Sequence, residues 1–191
     1  MSASAPSTLF PKPYADFVAR LRVPAGFLLL LAFAWFSVPS SESVLWGALL
    51  SLPGLVLRGW AAGHLRKDST LTTSGPYAYI RNPLYAGTLL VAAGMAYAAQ
   101  EWSLALLFGA VFLLVYLPAI SLEEQHLRDL FPAFPDYARR VPLLIPYRGH
   151  IPGTQRFSFS QYLYNREYEA AIGFLIGVAF LFAKASYLAG W

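Results

Sequence analysis

The sequence predicts an all-α integral membrane protein with five transmembrane helices and its polar residues gathered in two long connections on the cytoplasmic face. Three observations lead there. Of 191 residues, 57% are hydrophobic and only 13% are charged, about half the charge fraction of an ordinary soluble domain. The apolar residues fall into five runs, each near the roughly 20 residues that a bilayer-crossing helix needs. Basic residues collect between alternate runs and are absent from the others. Cysteine does not occur, which excludes disulfides, thiolate metal sites, iron–sulfur clusters and cysteine nucleophiles. The net charge of +4 is split up by apolar runs, so no continuous basic surface for nucleic acid is expected.

Taken in order, the first span covers residues 24–38 and is short, so residues from Phe17 onward are expected to lengthen it. Upstream, Phe10, Tyr14, Phe17, Val18 and Leu21 recur at helical spacing, with Lys12, Asp16 and Arg20 on the other face. Residues 1–23 therefore read as an interfacial amphipathic helix or as the start of the first span. A cleaved leader ending near Val38 and Ser40 would be unusually long and would carry Pro39 in its cleavage site, so this span is expected to be retained. The second, third and fourth spans cover residues 44–63, 84–99 and 102–120. The fifth covers residues 173–190, within a helix 5 region of 168–190. The chain divides as one domain: helices 1 and 2 in 24–63, a connection over 64–83, helices 3 and 4 in 84–120, and a second connection over 121–167.

Charge fixes the orientation. Lys12, Arg20 and Arg22 precede the first span; Arg66, Lys67 and Arg81 lie between the second and third. Arg128, Arg139, Arg140, Arg148, Arg156 and Arg166 lie between the fourth and fifth. The turns around Ser40–Ser43 and Gln100–Glu101 carry no lysine or arginine. The positive-inside rule then places the N-terminus and both long connections in the cytoplasm and the C-terminus outside, with a bacterial inner membrane as the expected location. Trp35, Trp46, Trp102 and Trp191 fall at the opposite ends of their spans, as an interfacial aromatic belt requires. Arg58 and Lys184 lie near span ends and would snorkel, or Arg58 would face a polar cavity. Gly173 and Gly177, and Gly87 and Gly94, are expected to let helices approach closely within the molecule.

Spans nearly bare of polar residues disfavour a channel or transporter and favour an enzyme with its site at the cytoplasmic face. The first connection contains GPYAYIRNPLYAG over residues 75–87, with Pro83 suited to a first helical turn. The second begins LEEQHLRDLF, continuing the fourth span as a helix in which Glu124 and Arg128 are i,i+4 partners. Pro132 and Pro135 break it, and DYARRVPLLIP follows with Pro142 and Pro146 holding an extended segment. Tyr77 and Tyr79 also read as interfacial anchors, and the Glu–Arg pair as a solvated helix face. His64, His126 and His150 match no metal-ligand spacing. No P-loop or GxGxxG occurs.

Together the two connections resemble the isoprenylcysteine carboxyl methyltransferase and phospholipid methyltransferase superfamily of membrane enzymes. The resemblance rests on Gly75-Pro76-Tyr77, Arg81-Asn82-Pro83, Tyr85, Gly87, Glu123-Glu124, Phe131, Tyr137, Val141-Pro142 and Ile145-Pro146, in order and at matching spacing over residues 58–146. Asn82 stands where the family commonly has histidine, and Pro132 where it has glycine after Phe131. The segment over residues 165–173 introduces the fifth span, with Asn165 as a helix cap and Glu167 and Glu169 near the positive helix end.

The resemblance implies S-adenosylmethionine as cofactor and methyl transfer to an amphiphilic acceptor, with the lipid bilayer as the other partner. It implies Arg81 and Glu124 as catalytic residues. It also implies Tyr79, Asn82, Tyr85, His126, Tyr137, Arg140, Val141, Leu143 and Ile145 as cofactor-binding, and Arg58, His64 and Glu167 as substrate-binding. Arg81 or Arg140 would pair with the cofactor carboxylate and Glu124 with its amine, while Tyr85 and Tyr137 line the adenosine and the backbone of 141–145 meets the adenine. An isoprenylcysteine-like carboxylate would need no general base. A phospholipid amine would need Glu124 or His126 as base, and a thiol would need its thiolate form. Two readings outside this class stand beside it: a sterol-reductase-like enzyme using NADPH, and a non-enzymatic membrane scaffold.

Overall fold

The computed structural model describes residues 11–147 and 153–190, so Phe10, Arg148, His150 and Trp191 lie outside the described residues. The described residues form helices and turns with no strand. We number the helices α1 (Lys12–Phe36), α2 (Ser41–Ala62), α3 (Pro83–Ala99), α4 (Trp102–Leu130), α5 (Phe134–Arg140), α6 (Phe159–Tyr164) and α7 (Tyr168–Ala189). A 3₁₀ turn, Gly75–Ala78, precedes α3. Four of these helices, α1 (from Pro13), α2, α4 and α7, are long and apolar enough to cross a membrane. The third expected span is helical too, but at 17 residues it falls short of that length. Pro83 starts α3, and Gln100 ends it in the left-handed conformation at φ 52°.

α1 runs unbroken from Lys12 to Phe36 with Pro24 inside it, so the expected boundary at residue 23 falls within one helix. Ala15 and Val18 are buried, which means that the N-terminal turns pack on the protein.

The closest helix contact is the antiparallel pair of α2 and α3. A Cβ on Gly47 would stand 2.5 Å from the Gly94 carbonyl oxygen, and one on Gly54 2.6 Å from that of Gly87. Ser51 Oγ bridges the seam, donating to the carbonyl oxygens of Gly47 at 2.8 Å or Val91 at 3.1 Å. Ser43 Oγ reaches Ala98 O at 2.9 Å at the far end. Gly87 and Gly94 thus pack as expected, while Gly173 faces open space and Gly177 only approaches Met95 Cε, at 3.4 Å from an added Cβ. The glycine pair of α7 is therefore not a close crossing.

Lys184 is fixed rather than snorkelling. Its ammonium donates to Ala34 O (2.8 Å), Trp35 O (2.9 Å) and Ser37 Oγ (3.2 Å), satisfying carbonyls that the end of α1 leaves open. Val44, Ala98 and Leu181 form a small core joining α2, α3 and α7 at this end. At the opposite end α4 continues past its apolar run to Leu130, after a π-helical turn at Phe112–Tyr116. A second core of Phe134, Tyr137 and Val141 seats α5 there against Leu71, Leu127 and Phe131.

Candidate active site

The two connections meet around a cavity of about 1050 Å³ that reaches from the loop over residues 65–72 to residues 22–30 of α1. Its structural centre is Arg81. This guanidinium grips Glu124 with Nε to Oε1 at 2.7 Å and Nη2 to Oε2 at 3.2 Å, while Nη1 donates to Ala138 O (2.6 Å) and Val141 O (3.1 Å). Asn82 Nδ2 adds a contact to Glu124 Oε1 at 3.2 Å. The Arg81 and Asn82 amides donate to Pro142 O (2.8 Å) and Leu143 O (3.1 Å), so the extended tail that Pro142 begins lies alongside the start of α3. Tyr137 donates to Tyr77 O at 2.7 Å. Burial pushes both phenols, Tyr77 and Tyr137, well above the ordinary tyrosine value.

Two further carboxylate clusters face the cavity. Glu123 Oε1 accepts from Arg22 Nη1 (2.8 Å) and Tyr85 Oη (2.9 Å). Glu167 Oε1 accepts from Arg58 Nε at 2.6 Å, and Arg58 Nη1 reaches Leu84 O and Thr88 Oγ1. At the rim, His126 Nε2 lies 3.3 Å from Asp68, with both side chains mostly exposed. Among the described residues, no group of three or more His, Asp or Glu side chains could hold a metal ion.

Of the residues singled out by sequence, Arg58, Arg81, Asn82, Tyr85, Glu124, His126, Tyr137 and Glu167 line this cavity. The others lie outside its lining. His64 is buried, with Nδ1 2.9 Å from Trp60 O and its ring edge-on to Trp60 and Phe157. Gly75, at φ +58°, packs against that ring, where a Cβ would come within 2.7 Å. Tyr79 and Ile145 border a separate, apolar cavity of about 580 Å³. Arg140 is exposed, and the Val141 and Leu143 carbonyls already accept from Arg81 and Asn82. The pairing of Arg81 with Glu124 also differs from the expectation that each meets the cofactor separately.

Arg22, Glu123, Thr88 and Tyr116 line the cavity although the sequence reading gave them no site role. For Arg22 a signal existed: with Val23, Gly26, Phe27 and Leu30, which also line the cavity, it occupies one helical face.

Long apolar helices around a cavity that is polar toward the connections and apolar toward the helices define an integral membrane protein with a candidate active site at one end. A family model described as phospholipid methyltransferase matches residues 42–133. The chain is 36% identical over 110 residues to the cobalt-zinc-cadmium resistance protein CzcN of Cupriavidus metallidurans, covering 54% of this chain and 51% of that one. It is 31% identical to the nickel-cobalt-cadmium resistance protein NccN of Alcaligenes xylosoxydans xylosoxydans, over 74% of this chain and 72% of the relative. It is 29% identical to the protein-S-isoprenylcysteine O-methyltransferase of Schizosaccharomyces pombe, over 71% and 59%. The match thus spans about half the length of the first of these curated relatives. No solved structure matches. The chain belongs to the phospholipid methyltransferase family. Members of this family generally use S-adenosylmethionine.

Proposed function

We propose that this protein transfers a methyl group from S-adenosylmethionine to an amphiphilic carboxylate of the isoprenylcysteine type, at the cytoplasmic face of a bacterial inner membrane. The observation that carries the reading is the continuity of one cavity from the family motif to an apolar opening on α1. Val23, Phe27 and Leu30 line that opening and are 62%, 64% and 61% exposed. An acceptor with a hydrocarbon tail would keep the tail in the bilayer and bring only its headgroup inward.

The residues present fit the cofactor. A cavity of about 1050 Å³ is at the upper end for small-molecule sites, with room for a cofactor and a headgroup. Toward the cytoplasm, Arg66 and Lys67 would hold its carboxylate and Asp68 its amine. Tyr77, Leu127, Phe131, Phe134 and Tyr137 offer an aromatic and apolar wall for the adenosine. When bound, S-adenosylmethionine supplies a methyl group on a positively charged sulfur. The Arg81–Glu124 pair holds the extension of α4 against the start of α3 and so sets the width of the cavity. Alignment and exclusion of water are then the protein's main contributions. A carboxylate acceptor needs no base, and the ester formed is neutral.

That acceptor is favoured over a phospholipid amine because neither candidate base is placed to serve one. Glu124 is engaged by Arg81 and Asn82, and His126 stands at the exposed rim with Asp68. Helix directions are compatible with five crossings, and the distribution of basic residues favours a cytoplasmic N-terminus. Lys184 brings the far ends of α1 and α7 together, and Ser43 joins the start of α2 to the end of α3. α1, α3 and α7 therefore run one way, with α2 antiparallel to α3.

Calorimetric titration of the detergent-solubilised protein with S-adenosylmethionine is expected to show saturable 1:1 binding that Arg81→Ala and Glu124→Gln both weaken. A folded sample without saturable binding would overturn the reading. Mass spectrometry of membrane extracts incubated with the protein would then identify molecules that gain one methyl group.

A further inference from the structure

The cavity contains five cationic side chains, and they are not equivalent. Arg81 spends every guanidinium nitrogen on Glu124, Ala138 and Val141. Arg22 is half-exposed at the opening, and Arg66 and Lys67 belong to the loop at the cytoplasmic end. Arg58, like Arg22, projects from a membrane-length helix, where a cation is costly unless it serves a purpose, but Arg58 is the more buried of the two. It is also built in. Its stem crosses α3 over Gly87, where a Cβ would lie 2.5 Å from Arg58 Cγ. Its Nε is tied to Glu167, and its Nη1 to Leu84 O and Thr88 Oγ1. Nη2 takes no partner among the described residues, and Arg58 lines the cavity.

We infer that Arg58 is the clamp for the acceptor's carboxylate, with its Nη2 edge holding one oxygen while Glu167 fixes the guanidinium and limits its net charge. This rests on the methyl-transfer reading above and adds to it the residue that selects the acceptor. Glu167 lies beyond the stretch matched by the family model, which ends at residue 133. It is carried to the site by the C-terminal segment, which Asn165 anchors through Nδ2 to Ala62 O (2.8 Å) and Leu65 O (2.9 Å). The clamp also accounts for release: a carboxylate bound through charge-assisted hydrogen bonds becomes a neutral ester that binds the guanidinium less tightly.

The test compares binding of N-acetyl-S-farnesylcysteine and its carboxamide to the full chain in detergent, by calorimetry and without turnover. The wild-type protein is expected to prefer the carboxylate by about tenfold. Arg58→Gln should reduce that preference below about threefold, while affinity for S-adenosylmethionine stays unchanged. Glu167→Gln removes the opposing charge and should widen the preference about threefold or more. A merely structural ion pair predicts instead that both probes weaken together in the Glu167 variant. Equal binding of the two probes by the wild type, or an unchanged preference in a folded Arg58 variant, would overturn the clamp. A carboxylate preference in a protein that does not bind S-adenosylmethionine would leave the clamp standing and remove the methyl-transfer reading alone.

Discussion

Severing Arg81 from Glu124 should unfasten the motif end of the site, and a double-mutant cycle measures by how much. The pair is bidentate, and its side chains are only 16% and 15% exposed. Arg81→Ala removes both bonds to Glu124 and those to Ala138 O and Val141 O, leaving a largely buried carboxylate without its counter-charge. Removing one partner of such a pair costs about 3–5 kcal/mol. Glu124→Gln keeps the shape and one acceptor while losing the charge, for about 1.5–3 kcal/mol. If the two side chains act as one unit, the double variant should cost little more than Arg81→Ala, giving a coupling energy of about 1–3 kcal/mol. Denaturant unfolding in detergent supplies the energies. Hydrogen exchange at the Asn82 amide, bonded to Leu143 O at 3.1 Å, reports whether the tail has detached. Costs that add within about 0.5 kcal/mol, with exchange at Asn82 unchanged, would refute the reasoning.

Gly94→Leu places a Cβ 2.2 Å from Ser51 Oγ and 2.4 Å from Gly47 O. It should lower stability by about 3 kcal/mol or prevent folding, read as the melting transition in detergent. Gly173→Leu, where nothing lies within 4 Å, should change stability by less than about 0.5 kcal/mol in the same assay. Lys184→Met strips the cap from the end of α1 and should cost about 1–3 kcal/mol by the same measurement. Burial raises the Tyr137 phenol above the ordinary tyrosine value, so the unfolded chain releases this proton first. Its contribution is fully present below pH about 10 and is lost as pH rises further. Tyr137→Phe should therefore flatten the alkaline fall in melting temperature while costing about 1 kcal/mol at neutral pH through the lost bond to Tyr77 O.

Hydropathy and charge made much of the architecture legible before any contact was seen, because burial in a bilayer constrains every residue of a span independently of its neighbours. The four long apolar helices, the extension of α4 beyond its apolar run and the gathering of the family motif at one end follow from local composition and spacing. So do Arg81, Asn82, Tyr85, Glu124 and Tyr137 as cavity residues, since all belong to the motif. The third span shows the limit: its apolar run is clear, but Pro83 and Gln100 confine the helix to 17 residues.

What only the tertiary structure decided is which faces meet. Gly47 and Gly54, unremarkable in sequence, supply the seam that Gly87 and Gly94 need, whereas the more obvious Gly173–Gly177 pair makes no close crossing. Lys184 and Arg58 look alike as isolated cations in apolar helices. One caps the end of α1, and the other lines the cavity beside Glu167, a residue more than one hundred positions away. His64 lies close before the motif segment and Tyr79 within it, yet ring packing draws one into the interior and the other turns to a different cavity. The sequence by itself determined that this chain enters the membrane and gathers a methyltransferase motif at one end, because hydrophobic transfer and motif spacing are sums over local residues. The tertiary structure decided which charges share the cavity, because pairing energies depend on distances that only the close approach of packed helices creates.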